Sequence, residues 1–308
     1  MDGTGLESLE MNIHQILLFF IPLFLVMILT EHAIGRKRRK SLYTRGDTLA
    51  SICIAIGQQL IALLSLGVVV SAVMMIAWEY RLFDLPVTSW WYLPTLFIAH
   101  EFAYYWFHRL AHEVRWFWAS HSVHHSTEEL NILAAYRFGW TGWLSMGRLV
   151  FVPLIWFGFE PTIVALMFAA NLMYQSWLHT TLIGKLGFLE GILNTPSAHR
   201  VHHARNASYL DRNHGGVLII FDRMFGTYVE EQENEPCDYG LVKPSGSHNP
   251  IRIAFYEWGN IFNNLKSNPI RYWPGFLFGP PGWAPDGKGT TSADLRAFYR
   301  AGHDVGQA

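Results

Sequence analysis

The sequence predicts an all-α fold, a polytopic integral-membrane helical bundle that carries a histidine-rich helical cap on its cytoplasmic side. Three observations predict it: long apolar stretches along the chain, a basic loop directly after the first of them, and nine histidines in a repeating pattern. The 308 residues are 51% hydrophobic and only 15% charged, with 13 Trp and a mean hydropathy of +0.15. Such a composition can fill a large core or face lipid, and the uninterrupted apolar stretches decide for lipid.

Ile13 to Thr30 is the first such stretch, long enough as a helix to cross about 27 Å. It starts too far into the chain, and lacks the basic flank, for a cleaved signal peptide. Thr48 to Ala77 is the second; as one helix of about 45 Å it exceeds the hydrocarbon layer and is expected to tilt or project into the interface. Trp90 to Phe107 is the third. Trp143 to Phe157 and Thr162 to Ile183 are the fourth and fifth, divided at Gly158-Phe-Glu-Pro161, a helix stop followed by an N1 proline restart.

The loop Gly35-Arg-Lys-Arg-Arg-Lys40, with Arg45, orients these spans. It is expected to be cytoplasmic, while the preceding tail carries Asp2, Glu7 and Glu10. Its place directly after an apolar span reads as topology and not as a nucleic-acid patch. Counting onward, the second span leaves the cytoplasmic side and the third returns, so that His108 to Arg137 emerges there. The last two segments form a hairpin, spanning or re-entrant, which brings 179–203 back to the same side. The sequence thus divides into a first span and basic loop (1–47), a catalytic membrane unit (48–230) and a polar tail rich in Pro, Gly and aromatics (231–308). That tail cannot span, and its Trp and Phe among glycines predict an interfacial cover over the histidine-rich face.

The histidines are His108-x3-His112, His121-x2-His124-His125, His179, and His199-x2-His202-His203. Residues three and four apart share a helix face, so each group can present its imidazoles to one centre. A lone His in an apolar sequence is ordinarily a satisfied core or interface residue, and His14, His32, His248 and His303 are read so. Two HxxHH units are different, because clustered neutral imidazoles are good ligands for iron, zinc or copper. Nine exceed the four a tetrahedral zinc takes, so two metals share them. Glu101 falls on one stripe with His108 and His112, where it can orient a ligand or pair with an Arg, whereas His100 points away. Asn171, Gln175 and His179 form a polar stripe that faces protein and not lipid; for the first two, interhelical hydrogen bonding and support of the metal site weigh equally. Asn194-Thr-Pro-Ser197 caps the helix of the last histidine group. His214, in the loop Asp211-Arg-Asn-His-Gly-Gly216, is either a further ligand or donor, or an exposed capping residue. Cys53 and Cys237 encode neither a CxxC site nor a disulfide framework.

These motifs, HRLAH, HSVHH and HRVHH together with QSWLHT and NHGGVLIIFDRMFGT, resemble the fatty acid hydroxylase and sterol desaturase superfamily of membrane non-haem di-iron enzymes. The likeness runs from about residue 45 to 230 and is greatest to the ether-lipid branch, its bacterial alkylglycerol monooxygenase-like members. By position, the resemblance implies that His108, His112, His121, His124, His125, His179, His199, His202 and His203 ligate two irons. Gln175-x3-His179 stands where fatty acid hydroxylases carry a histidine pair, a departure shared with the ether-lipid branch.

The implied chemistry is O2-dependent hydroxylation of an unactivated C–H bond of a membrane lipid, an ether lipid, sterol or fatty acyl chain. The alternatives are desaturation at the same site and, from another class, a membrane metal-binding or transport protein. Transport would spread ionisable residues through several spans, and here they gather at one end. A membrane metalloprotease is poorly supported, because neither His100-Glu101 nor His112-Glu113 continues into HExxH. The chain carries no haem-attachment sequence, iron–sulfur cysteines or GxGxxG, so electrons are expected from a reductase partner or a reduced pterin. The expected location is a bacterial inner membrane.

Overall fold

The computed structural model describes residues 22–64 and 68–301. All regular structure among them is helical, with only isolated β-bridges. The helices are α1 (22–37), α2 (Arg45–Leu63), α3 (Val68–Glu79), α4 (Tyr92–Glu113), α5 (Arg115–His121), α6 (Gly142–Ser145), α7 (Val152–Phe157), α8 (Pro161–Ser176), α9 (Pro196–His203), α10 (Ile220–Phe225), α11 (Pro250–Ser267), α12 (Trp273–Phe278) and α13 (Ser292–Arg300).

Among the described residues, no helix is long and apolar enough to cross a membrane. The reasons are local. Residues 13–21 of the first expected span lie outside the described residues. The stretch Thr48 to Ala77 is not one described helix, since α2 ends at Leu63 and α3 begins at Val68. Trp143 to Phe157 is broken into α6, a 3-10 turn and the six-residue α7, with Met146 in the left-handed region at φ 53°. α4 has the length, but it holds Glu101, His108 and His112. α8 begins as expected, with Pro161 in its first turn and the Glu160 side chain accepting from the Ile163 N–H, and runs only 16 residues.

The outward faces of these helices are nevertheless apolar. Leu25, Val26 and Leu29 on α1, Ile56 and Leu60 on α2, Val68, Met75 and Ile76 on α3 and Leu93 on α4 are all more than half exposed, and Trp90 is 87% exposed. Exposed large apolar side chains thus recur on all four helices.

α4 is the spine. Its Tyr92, Leu96 and Tyr104 pack with Phe151 from the 3-10 turn before α7, Ile155 of α7, Phe159 of the turn after it and Val164 of α8. The α2 end is fastened by a buried ion pair, Asp47 with Arg137, whose guanidinium also donates to the Ser51 and Ser126 hydroxyls. The segment after Glu230 is ordered and helical through α11, α12 and α13. It packs over α5, where Arg115 meets Glu257 at 2.7 Å and the Arg115 N–H reaches the Gly279 carbonyl.

Candidate metal centre

All nine histidines of the motif converge, and they do so as two groups. His108, His112, His121, His125 and His202 form one; His124, His179, His199 and His203 form the other. Within each group one ring nitrogen per residue lies within 4.8 Å of all the others. Only His121 is more than marginally exposed. The groups adjoin, with the His125 and His203 rings stacked at 4.4 Å.

Each helix contributes for a local reason. α4 is continuous from Tyr92 to Glu113, so His108 and His112 share a face. The HSVHH motif is not one helix: α5 ends at His121, and His124 and His125 sit in a 3-10 turn held by the Ser126 and Arg137 side chains. α9 starts on Thr195, whose hydroxyl accepts from the Ala198 N–H, as the Asn-Thr-Pro-Ser pattern predicts. It is locked by Arg200, which grips the Glu231 carboxylate with two nitrogens and donates to the Thr180 and Ile183 carbonyls. His179 lies beyond the end of α8, and its Nδ1 still donates to the Gln175 carbonyl one turn back.

The Nε2 atoms meet at short range. His108 to His121 is 3.1 Å, His125 to His121 3.2 Å, His179 to His124 3.2 Å, His199 to His179 3.0 Å and His203 to His199 3.1 Å. Two nitrogens each about 2.1 Å from one ion and at right angles are about 3 Å apart, so these spacings suit a shared metal. The Nε2 atoms of His112 and His202 are buried without a hydrogen-bond partner. Such groups are costly unless something occupies them. Burial, reinforced by the neighbouring rings, holds His121, His124, His125, His199, His202 and His203 well below the usual imidazole range. They are neutral at pH 7, the form that ligates. The donor set is all nitrogen and fits two imidazole-loving transition metals, iron included.

Glu101 neither pairs with an Arg nor touches a ligand. One carboxylate oxygen accepts from the Val217 and Leu218 N–H groups at 2.7 and 2.8 Å, the other from Asn171. It pins the 211–218 loop to α4, and Gly216 is required there because a Cβ would fall 2.2 Å from the Asn171 amide. Asn171, Gln175 and Tyr104 continue the same hydrogen-bonded chain, which favours the interhelical reading for the polar stripe. His100 is buried against Phe151, apart from the nine.

His214 corrects an expectation. It is fully buried, not exposed, because Asp222 accepts from the His214 and Gly215 N–H groups and draws the loop inward. Its ring lies 5.1 Å from that of His112 and 5.9 Å from those of His108 and His202, and its carbonyl accepts from His108 Nδ1.

Asp211 escaped sequence reasoning. Its carboxylate lies 3.3 Å from His112 Nδ1 and 3.5 Å from Arg296 of α13. Burial alone would raise its pKa, but His112, Ser292 and Arg296 outweigh that and hold it low. Nothing in a loop aspartate 99 positions from its histidine announces the pair. A cavity of about 430 Å³ opens on this side of the centre, between His112, His125, His202 and His203 on one wall and α11 and the 281–290 loop on the other.

A fatty acid hydroxylase family model matches residues 93–227, which contain all nine histidines. The chain is 38% identical over 278 residues to alkylglycerol monooxygenase of Homo sapiens, covering 87% of this chain and 59% of the relative. For the Xenopus tropicalis protein of the same name, identity is 39% over 280 residues, with 87% and 58% covered. An ornithine lipid hydroxylase of Rhizobium tropici is 32% identical over 146 residues, 47% of this chain and 44% of that one. The chain therefore spans less than three-fifths of the length of the alkylglycerol monooxygenases cited. No solved structure matches it.

Proposed function

The chain belongs to the fatty acid hydroxylase superfamily, and from that premise we propose that it is a membrane-bound, O2-dependent non-haem di-iron monooxygenase that hydroxylates a C–H bond of a lipid. The observation that carries the reading is the convergence of nine imidazoles as five and four. In this reading His108, His112, His121, His125 and His202 hold one iron and His124, His179, His199 and His203 the other. Relatives named for oxygenation of an alkylglycerol and of an ornithine lipid support a lipid substrate, and an ether lipid is the class favoured.

A reduced iron pair supplies O2 activation and hydrogen abstraction from an unactivated carbon. The chain's own residues do the rest. The His214, Arg212 and Gln175 carbonyls accept from Nδ1 of His108, His202 and His179 and so fix the ring orientation that leaves Nε2 free to ligate. The Trp118 ring lies 5.2 Å from His112 and 5.6 Å from His125 and shields that flank from water. The cavity beside the centre gives a substrate carbon access to the five-histidine side. Electrons come from outside the chain, from a reductase partner or a reduced pterin.

The outward apolar surface of α1 to α4 supports a multi-pass membrane protein with residues 48–230 as its catalytic unit and the histidine face cytoplasmic. The decisive experiment supplies anaerobically purified protein with reductant, O2 and a total lipid extract, and reads metal content and product mass together. About two irons per chain and a lipid gaining one oxygen is the expected result. A product losing two hydrogens makes it a desaturase, and little metal with no turnover overturns the enzyme reading.

A further inference from the structure

α11 has two faces that serve two surroundings. At about 100° per residue, Tyr256, Asn260 and Asn264 fall on one side, and all three line the cavity beside the five-histidine group. Ile251, Phe255 and Phe262 fall about 180° away and are 61%, 47% and 65% exposed. Ala254 and Ile261, about 110° round from Asn260, are buried against the body of the protein, as is Ile253 on the Asn260 side in the first turn. The exposed stripe continues past the helix through Ile270, Trp273 and Phe278. Arg252, Lys266 and Arg271 are exposed along the same stretch.

We propose that α11 lies in the plane of the membrane interface, its apolar stripe in the acyl boundary of an anionic leaflet, so that the cavity behind it opens at the lipid surface. The inference rests on the membrane reading above. Two observations choose lipid as the occupant over a protein partner. The stripe is continuous with the apolar outer face of α2: the Phe255 ring meets Trp140 at 6.2 Å, and Trp140 donates to the Ile54 carbonyl of α2. Trp140 can nest there only because residue 57 is glycine, where a Cβ would sit 2.4 Å from its ring. The second observation is charge, since cationic residues flanking an aromatic and aliphatic stripe are what anionic headgroups attract.

The test places a nitroxide at single cysteines in protein whose Cys53 and Cys237 are replaced by serine, reconstituted in phosphatidylcholine–phosphatidylglycerol nanodiscs. Collisions with O2 report lipid and collisions with a water-soluble nickel chelate report water. Phe262→Cys is expected to favour O2 and Asn263→Cys, one position round the helix, to favour nickel. Ile56→Cys on α2 reports the membrane reading on its own. A label at 262 that favours nickel while 56 favours O2 overturns the in-plane helix and leaves the membrane reading standing. Nickel at both positions overturns that reading as well. Protection of 262 from both reagents means that protein covers the stripe, and also overturns the proposal. Iron content, measured on each variant, is expected to match the parent and identifies any variant that has misfolded.

Discussion

The five-histidine and four-histidine groups use one residue type and are held by different means. In the five, His108 and His202 donate Nδ1 to backbone carbonyls and His112 faces the Asp211 carboxylate, so three rings have a fixed outer partner. In the four, only His179 has one; Nδ1 of His124, His199 and His203 is buried without a hydrogen bond among the described residues. A carboxylate behind an imidazole raises its basicity and fixes its tautomer, whereas packing alone fixes position. The difference teaches that the two histidine groups, and so the two metal positions proposed for them, are not equivalent. The five-histidine group has the Asp211 carboxylate behind one ring and puts His112, His125 and His202 on the cavity wall, whereas the four-histidine group puts only His203 there and has no charged partner behind its rings among the described residues.

The sharpest break of this comparison removes one ligand from each side. His202→Ala and His124→Ala are each expected to lower turnover by more than about a hundredfold, beyond what outer-shell changes cost. Bound metal should fall from about two per chain toward one, with insertion into the membrane unchanged. Elemental analysis beside a turnover assay decides it. Two metals and retained activity in both variants would end the two-site assignment.

Acid probes what the groups share. Above about pH 6.5, the ordinary imidazole value, folded and unfolded chains both carry these rings neutral. Below it the unfolded chain takes up protons that the buried His121, His124, His125, His199, His202 and His203 refuse. Stability of metal-stripped protein should therefore fall as pH falls below that value, by about 1.4 kcal/mol per pH unit for each ring so affected. A melting temperature that is flat between pH 7 and pH 5 would contradict the burial argument for both groups.

Asp211→Asn sharpens the contrast itself. Removing the charge behind His112 is expected to weaken metal binding about 10- to 100-fold at the five-histidine position and to leave the other unchanged. Chelator competition should then show one fast and one slow metal where the parent releases both slowly. Equal weakening at both positions would mean that Asp211 supports the fold and not one site.

Much of this was legible beforehand. The nine histidines, the Thr195 cap and the Pro161 restart follow from spacing and local backbone chemistry, which a sequence displays directly. The division into five and four was hidden, because it depends on where α5 ends and how the His124 turn is anchored by Ser126 and Arg137. The pairs Asp211–His112, Asp47–Arg137 and Arg200–Glu231 were hidden for a related reason. Each joins residues distant in sequence, and periodicity carries no information about such partners. Long apolar stretches also misled in detail. Hydropathy sees composition, while the break at Met146 is a matter of backbone conformation.

His214 offers the smallest and most discriminating effect. It sits at the edge of the five-histidine group, fully buried, with neither ring nitrogen hydrogen-bonded. Leaving a buried polar atom unsatisfied costs about 1–3 kcal/mol. His214→Phe keeps an aromatic ring beside Tyr105 and removes both nitrogens. If the ring only fills space, the variant should gain roughly 1 kcal/mol in metal-free stability, and its metal affinity and turnover should match the parent. That is the expected outcome, since the ring's nitrogens lie outside the five that converge. A variant that loses metal affinity at the five-histidine position would make His214 a sixth member of that group, and the asymmetry between the two positions would be larger than the nine histidines alone imply.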